Sequence, residues 1–188
     1  MIVGVVLAAG ASSRMGSPKA LLRLGDMTLI EHHMEALLSS CEEVVVVVGA
    51  HKSEIIAVCS RPRVKVKVNE NWANSDALES LRVGIVGYSN VDCVVVTPVD
   101  IPPVSPTDLR ALVNVAPPAV LSWQGESGHP VMIGKAEMEH IILRDVSGGL
   151  RSLLTHARSV PAGTRDILCN LNTPELWSSY LGEVSDRI

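Results

Sequence analysis

Residues 2–19 decide the fold, and they read I-V-G-V-V-L-A-A-G-A-S-S-R-M-G-S-P-K. The apolar run Ile2–Ala8 predicts a buried strand, and the small residues after it predict a tight loop at the carboxyl end of that strand. Open α/β sheets bind their ligands in loops at the carboxyl ends of parallel strands. This stretch therefore predicts a parallel sheet with a ligand site at its first loop.

Residues 9–19, which we call the N-terminal loop, have the composition of an anion site. Gly10 and Gly16 let the backbone approach a ligand closely, and exposed backbone amides in such a loop favour anions. Arg14 and Lys19 add two positive charges, which suit a polyphosphate. The simpler alternative is a tight surface loop with two solvated cations.

The spacing within the loop excludes two common phosphate motifs. A Walker A loop has four residues between its glycines and a lysine directly after the second glycine. Here five residues separate Gly10 from Gly16, and Lys19 follows three positions later. The dinucleotide fingerprint G-x-G-x-x-G is also absent, because Ser12 stands where its second glycine is required.

Apolar runs alternate with segments of helical spacing along the whole chain. This alternation predicts right-handed crossovers and a doubly wound, mostly parallel α/β sheet in one domain that spans residues 1–188. The predicted strands are residues 2–8, 43–48, 64–68, 93–97 and 119–123. The predicted helices are residues 28–38, 76–86, 106–113, 136–143, 150–156 and 174–181.

Composition narrows the functional classes. The net charge of −4 and the dispersed basic residues argue against a nucleic-acid-binding surface, which needs a basic patch. The four cysteines lie far apart without a C-x-x-C pair, which argues against a disulfide framework or a cysteine metal site. The N-terminal apolar run has no basic leader and is too short for a signal peptide or a membrane span. We therefore expect a cytoplasmic protein without a membrane or nucleic-acid partner.

A second candidate site lies at residues 94–102, V-V-V-T-P-V-D-I-P. A buried strand here delivers Asp100 to a proline-stiffened turn at its carboxyl end. Mg²⁺ binds one or two carboxylates together with substrate phosphates and water, so a single well-placed aspartate suffices. The alternative is an aspartate that only forms a turn or caps a helix.

The series L-A-A-G-x-S-x-R-M-G-x-x-K at residues 7–19 resembles the signature of the MobA/MocA-like nucleotidyltransferases. These are the molybdenum cofactor cytidylyltransferases and guanylyltransferases. The double alanine of the signature and G-H-P at residues 128–130 resemble the cytidylyltransferase branch. The resemblance implies a Rossmann-like, three-layer nucleotidyltransferase fold and an enzyme that depends on Mg²⁺.

The same resemblance implies a role for each matching position. Binding of the nucleotide and acceptor would involve Leu7, Ala8, Ala9, Gly10, Asn69, Ser80 and His129, with His129 on the acceptor side. Arg14 and Lys19 would contact phosphates as catalytic residues. Asp100 would be catalytic as well and would hold Mg²⁺, with Asn172 as a second metal ligand.

Several positions depart from the family pattern. Asp76 lies in a stretch where the family usually has Gly-Met-(Ser/Ala), and Ser147 replaces an aspartate. Asn170 and Asn172 replace the two aspartates of D-x-D-T-P-E, which resembles the guanylyltransferase branch. Asparagine binds Mg²⁺ through its carbonyl without adding charge, so we expect weaker metal affinity. The signals for the two branches therefore conflict.

The leading hypothesis is transfer of CMP, and less readily GMP, from a nucleoside triphosphate to the terminal phosphate of molybdopterin, with release of pyrophosphate. The resemblance also implies a molybdoenzyme or its maturation chaperone as a protein partner. Two alternatives stay open. One is nucleotidyl transfer to another acceptor such as a sugar phosphate, and the other is a non-catalytic module that binds the molybdenum cofactor.

Overall fold

The computed structural model describes residues 1–144 and 146–185 of the chain. The described strands are β1 (Ile2–Ala8), β2 (Arg23–Leu24), β3 (Met27–Thr28), β4 (Glu43–Val48), β5 (Val64–Val68), β6 (Cys93–Pro98), β7 (Ala119–Trp123), β8 (Glu126–Gly134) and β9 (Arg158–Pro161). The described helices are α1 (Leu29–Leu38), α2 (Lys52–Val58), α3 (Ala77–Ile85), α4 (Pro106–Val113), α5 (Lys135–Ile142), α6 (Leu150–Leu153) and α7 (Pro174–Ser185). Among these described helices, none has the length and apolar character needed to cross a membrane.

Within the described residues, seven strands form one sheet in the order β5-β4-β1-β6-β8-β7-β9, and β2 pairs with β3 separately. β1 runs parallel to both of its neighbours, β4 and β6, whereas β8 is antiparallel to β6 and β7. The chain proceeds outward from β1 through β4 to β5 and then returns to the other side of β1. The strand order therefore reverses between β1 and β6, and such a reversal opens a crevice at the carboxyl ends of the two strands.

Helices cover both faces of this sheet, as the side chains of β4 show. Val44, Val46 and Val48 pack in the cluster that contains α1 and α4, and Val45 and Val47 pack with α3 and α5 on the opposite face. All five valines are fully buried. Burial of each such side chain contributes about 1.5–3 kcal/mol. The architecture is thus the predicted three-layer, doubly wound, mostly parallel α/β fold.

The local patterns predicted most of these elements. All five predicted strands are present, and α1, α3, α4 and α5 lie within one residue of their predicted bounds, whereas α6 is shorter and α7 longer. The patterns missed α2, β8, β9 and the short pair of β2 with β3. The reason is visible in α2, which buries only Ile55 and so has almost no apolar period. The first half of β8 is similarly polar, E-S-G-H, and is followed by a proline.

Candidate active site

The carboxyl ends of β1 and β6 open onto a narrow cleft of about 220 Å³. The cleft lies where the strand order reverses, which is the usual ligand site of open α/β sheets. Its wall is formed in part by the end of β1, the N-terminal loop and the turn after β6. The residues of these segments that line it include Leu7, Ala8, Ala9, Gly10, Lys19 and Asp100. The two segments that the sequence singled out therefore line one cavity.

The N-terminal loop is shaped by a turn within its own backbone. Ser12 has a φ of 53°, which is uncommon for a residue with a side chain, and its carbonyl accepts hydrogen bonds from the amides of Met15 at 2.9 Å and Gly16 at 3.3 Å. The Ser12 hydroxyl accepts a further hydrogen bond from the Lys19 amide at 3.1 Å. These bonds fix the backbone from which the Lys19 side chain extends.

The loop also rests on the carboxyl-terminal part of the chain. Met15 is buried, and it belongs to a small apolar cluster with Leu171, Trp177 and Tyr180. On the other side of the loop, the Ala9 carbonyl accepts a hydrogen bond from the Ala50 amide at 3.1 Å. Helix α7 and the end of β4 thus hold the loop from two directions.

Three polar side chains from distant parts of the chain meet beside the cleft. The Lys19 Nζ donates to Asp100 Oδ2 at 3.1 Å and also to Asn172 Oδ1. The Lys19 and Asp100 side chains are 13% and 24% exposed, so the ion pair is partly desolvated. The Leu171 amide donates to the Asp100 carbonyl at 2.7 Å, which fastens the segment before Asn172 to the turn after β6. The sequence-predicted Lys19, Asp100 and Asn172 therefore form one cluster.

Ser80 and Asn69 occupy different places. Ser80 lines the narrow cleft, but Asn69 is not part of its lining. The Asn69 side-chain amide is buried, and it donates to the hydroxyls of Ser75 at 2.9 Å and Ser80 at 3.0 Å. Its Oδ1 accepts a hydrogen bond from the Asn71 amide at 3.0 Å. The hydrogen bonds of Asn69 therefore orient Ser80 in the cleft wall, and a direct contact of Asn69 with a nucleotide stays a prediction.

A wider cavity of about 900 Å³ adjoins the narrow cleft, and both are lined by Leu7, Asp76, Ala77 and Pro98. His129 lines only the wide cavity. Burial lowers the pKa of His129 below its ordinary value, although a hydrogen bond with the Val96 carbonyl opposes this shift. Within the described residues, its buried Nδ1 has no hydrogen-bond partner. The junction of the cavities thus carries a carboxylate, Asp76, and the wide cavity carries a histidine.

Arg14 behaves differently from the other predicted residues, since it is exposed and lines neither cavity. Two residues that the sequence reasoning missed lie at the site. His51 lines the cleft, and its Nε2 is 3.1 Å from the Ala11 carbonyl oxygen. His33 is buried under the turn that carries Asp100. Its position in the apolar stripe of α1 was a usable signal, because a histidine there must be buried.

The side-chain oxygen atoms of the cluster are ligands of the kind that a hard divalent cation binds. Asp100 offers a carboxylate and Asn172 an amide oxygen, and both already accept hydrogen bonds from the Lys19 ammonium. Within residues 1–144 and 146–185, no group of three or more His, Cys, Asp or Glu side chains could hold a metal ion. A cation bound here would take its remaining ligands from phosphates and water, as Mg²⁺ usually does.

Comparisons with known proteins identify relatives of this chain. The chain is 33% identical to the nicotine blue oxidoreductase of Paenarthrobacter nicotinovorans, over 78% of this chain and 77% of that protein. It is 29% identical to the molybdenum cofactor guanylyltransferase of Xanthomonas euvesicatoria pv. vesicatoria, over 97% and 96% of the two chains.

Two solved structures share the fold. A nucleotidyl transferase from Methanothermobacter has a TM-score of 0.83 and 26% identity, with 100% of this chain and 99% of that chain covered. A manganese complex of Rv0371c from Mycobacterium tuberculosis has a TM-score of 0.78 and 23% identity, with 96% and 97% covered. Residues 4–162, which include Lys19, Asp100 and His129, match the MobA-like NTP transferase domain. The chain therefore belongs to the MobA-like NTP transferase family, as the resemblance of residues 7–19 indicated.

Proposed function

We propose that the protein transfers a nucleoside monophosphate from a nucleoside triphosphate to the terminal phosphate of a molybdopterin-type acceptor and releases pyrophosphate. The observation that carries this proposal is the cluster of Lys19, Asp100 and Asn172 beside the narrow cleft. It combines a cation for phosphates with oxygen ligands for Mg²⁺ at the crevice between β1 and β6. We expect this reaction in the cytoplasm.

The narrow cleft is the proposed site of the nucleoside triphosphate. Residues 7–10 line it, and backbone amides in a loop at the end of a strand favour anions. Ala9 lines the cleft, and the double alanine of residues 8–9 resembles the cytidylyltransferase branch of the family. We therefore favour CTP as the donor. GTP is the competing donor, because the relatives include molybdenum cofactor guanylyltransferases.

Asp100 and Asn172 are the proposed ligands of Mg²⁺, which when bound would neutralise charge on the phosphate oxygens. Asp100 Oδ2 and Asn172 Oδ1 both accept hydrogen bonds from the Lys19 ammonium, so a metal ion held by these residues would compete with Lys19 for the two oxygens. An ammonium displaced in this way would be available to the phosphates. Together with Arg14 from the exposed part of the N-terminal loop, Lys19 would stabilise the charge that develops on the departing pyrophosphate.

The wide cavity is the proposed site of the acceptor, since it joins the narrow cleft at a shared wall. An acceptor phosphate at this junction would attack the α-phosphorus in line while the bond to the β-phosphate breaks. The reaction needs no protein nucleophile, because positioning and charge stabilisation carry phosphoryl chemistry. His129 lines this cavity and is the proposed residue on the acceptor side, as the resemblance of G-H-P at residues 128–130 implies.

Pyrophosphate release tests the proposal with CTP, GTP, UTP and ATP, each in Mg²⁺ with and without molybdopterin cofactor. We expect acceptor-dependent release that is fastest with CTP. Asp100→Asn should lower kcat by about 10²–10³-fold, which corresponds to roughly 3–4 kcal/mol. Asp92→Asn is the matched control, because Asp92 pairs with the N-terminal amine and is 65% exposed. No release above background with any nucleotide would overturn the proposal, whereas a preference for GTP would overturn only the choice of base.

The alternatives have distinct outcomes in the same assay. Turnover with a sugar phosphate but not with molybdopterin would reassign the acceptor. Nucleotide binding that depends on Mg²⁺ without any turnover would support a binding module that delivers cofactor to a molybdoenzyme or its maturation chaperone. Because one relative is a nicotine blue oxidoreductase, a redox assay with nicotine blue is a further control reaction. Redox turnover without pyrophosphate release would count against nucleotidyl transfer.

A further inference from the structure

Residues 162–172, which we call the strap, lead from β9 towards helix α7. At the start of the strap, the Ala162 amide donates to the Ser122 carbonyl of β7 at 2.8 Å, and the Gly163 amide donates to Asp108 Oδ1 at 2.9 Å. Asp108 belongs to α4 and is 8% exposed. The first residues of the strap are therefore fixed to a strand and to a helix of the core.

The other end of the strap reaches the cluster beside the narrow cleft. The Leu171 amide donates to the Asp100 carbonyl at 2.7 Å, and the next residue, Asn172, accepts a hydrogen bond from Lys19. Between the two ends, three residues of the strap line the wide cavity: Ile167, Leu168 and Asn170. One continuous segment therefore forms part of the wall of the proposed acceptor cavity and also carries a proposed metal ligand.

Gly128 determines how closely the middle of the strap approaches β8. A Cβ atom at this position would lie 2.3 Å from the Ile167 carbonyl oxygen and 2.8 Å from the carbonyl carbon of the same residue. These are backbone atoms, so no side-chain rotation relieves the contact. The φ of Gly128 lies outside the left-handed region, so its own backbone conformation does not require glycine. The close approach of the strap is therefore what requires a glycine here.

We propose that Gly128 is a positioning residue that seats the strap against β8, and that the seated strap, moving as one unit, holds Asn172 against Lys19. A methyl group at position 128 would push the Ile167 carbonyl oxygen from 2.3 Å to at least 3.0 Å, a movement of about 0.7 Å. Because the strap is tied on both sides of Ile167, this movement loosens both ends. The effects on metal binding and turnover rest on the proposed function, whereas the effect on the strap does not.

Hydrogen exchange tests the seating of the strap without substrate or metal. In Gly128→Ala, the amides of Gly163 and Leu171 should exchange roughly 5- to 10-fold faster, because weakening a hydrogen bond of ordinary strength changes an opening equilibrium by about that factor. Gly134→Ala is the matched control, since Gly134 lies at the other end of β8 and a Cβ atom there would lie 3.0 Å from Pro117 Cγ. It should leave both amides unchanged. Unchanged exchange in Gly128→Ala would overturn the proposal.

Asp108→Ala loosens the strap from its first residues and keeps the proposal testable if the glycine variant does not fold. It removes the side-chain acceptor of the Gly163 amide and leaves the sequence of the strap intact. Exchange of the Leu171 amide should rise in this variant too, because the strap moves as one unit. Thr107→Ala on the same helix is the matched control, because Thr107 is exposed. Faster exchange confined to Gly163 would show that the two ends move independently and would contradict the proposal.

Titration with Mn²⁺ and pyrophosphate release measure the consequence for the cluster. Gly128→Ala should raise the Kd for Mn²⁺ in nucleotide-free protein by roughly 10- to 100-fold, which is the range for residues that orient a metal ligand. It should also lower kcat by roughly 10- to 100-fold at little change in the KM for the nucleotide, because a displacement of about 1 Å can cost on the order of 100-fold in rate. Gly134→Ala should change none of these quantities.

The outcomes separate the strap from the proposed function. Faster exchange of the Leu171 amide together with wild-type Mn²⁺ affinity would sink the link between the strap and Asn172. If the wild-type protein shows no pyrophosphate release, the proposed function fails, while the exchange experiment still tests Gly128.

Discussion

Lys19 holds the two oxygens that we assign to Mg²⁺, so Lys19→Met should have opposite effects on metal binding and on catalysis. The Lys19 Nζ donates to Asp100 Oδ2 at 3.1 Å and to Asn172 Oδ1. Methionine keeps an unbranched side chain but removes the charge. We expect the variant to bind Mn²⁺ more tightly than the wild-type protein in the absence of nucleotide, while nucleotidyl transfer becomes slower.

The magnitude follows from the geometry and exposure of the ion pair. At 3.1 Å the Coulomb attraction is about 1 kcal/mol in water and about 5 kcal/mol at an effective dielectric constant of 20. The Lys19 and Asp100 side chains are 13% and 24% exposed, so we expect an attraction between these two values. A hydrogen bond to a charged group contributes about 1.5–3 kcal/mol net. Removing this competition should lower the Kd for Mn²⁺ by roughly 10- to 100-fold. Removing the cation from the transition state should lower kcat by about 10²–10³-fold.

Titration calorimetry with Mn²⁺ in nucleotide-free protein measures the first effect, and pyrophosphate release measures the second. Lys52→Met is the matched control, because Lys52 is 44% exposed and pairs with Glu70 at 2.9 Å away from the cluster. It should change neither quantity. Unchanged or weaker Mn²⁺ binding by Lys19→Met would refute the reasoning that the ammonium and the metal ion compete for the same oxygens.

Three further predictions concern stability. A Cβ atom at Gly49 would lie 2.5 Å from the Ala9 carbonyl oxygen, so Gly49→Ala should lower the free energy of unfolding in urea by about 1–3 kcal/mol. Gly182 on helix α7 has open space around it, so Gly182→Ala is the matched control and should raise the free energy of unfolding by about 0.5–1 kcal/mol. Because folding lowers the pKa of His33 from 6.5 to about 4, the unfolded chain takes up the proton first as the pH falls. The free energy of unfolding measured in urea should therefore drop by about 2 kcal/mol between neutral pH and pH 5, and His33→Leu should remove that loss. Trp177 is 9% exposed and is the largest member of the apolar cluster that contains Met15 of the N-terminal loop. Trp177→Ala should therefore lower the free energy of unfolding in urea by about 3 kcal/mol. It should also weaken nucleotide binding in a titration, because the N-terminal loop loses part of its support.

Some features of this protein could be predicted from the sequence because they depend on local chemistry. The unbroken valines of β4 require cover on both faces, and that requirement alone indicates a sheet between helix layers. The glycines and cations of the N-terminal loop, and Asp100 at the end of an apolar run, lie at strand ends that parallel pairing brings to one edge. Periodicity and strand direction were therefore enough to predict the fold and to bring two parts of the candidate site to one edge of the sheet, whereas the roles of their residues were predicted from the family resemblance.

The tertiary structure alone decided which side chains meet and which do not. Lys19 and Asn172 are 153 positions apart, and no local pattern states that helix α7 brings the carboxyl-terminal segment back to the N-terminal loop. An asparagine at position 69 can bind a ligand or can hydrogen-bond to neighbouring residues, and the sequence does not distinguish these roles. The structure shows its hydrogen bonds to Ser75 and Ser80. His33 likewise appears as a polar residue on an apolar stripe until the Asp100 turn is packed against it. The sequence by itself determined the layers and the edge of the sheet that carries the candidate site, because these follow from local periodicity. The tertiary structure determined which side chains contact each other there, because such contacts depend on long-range packing.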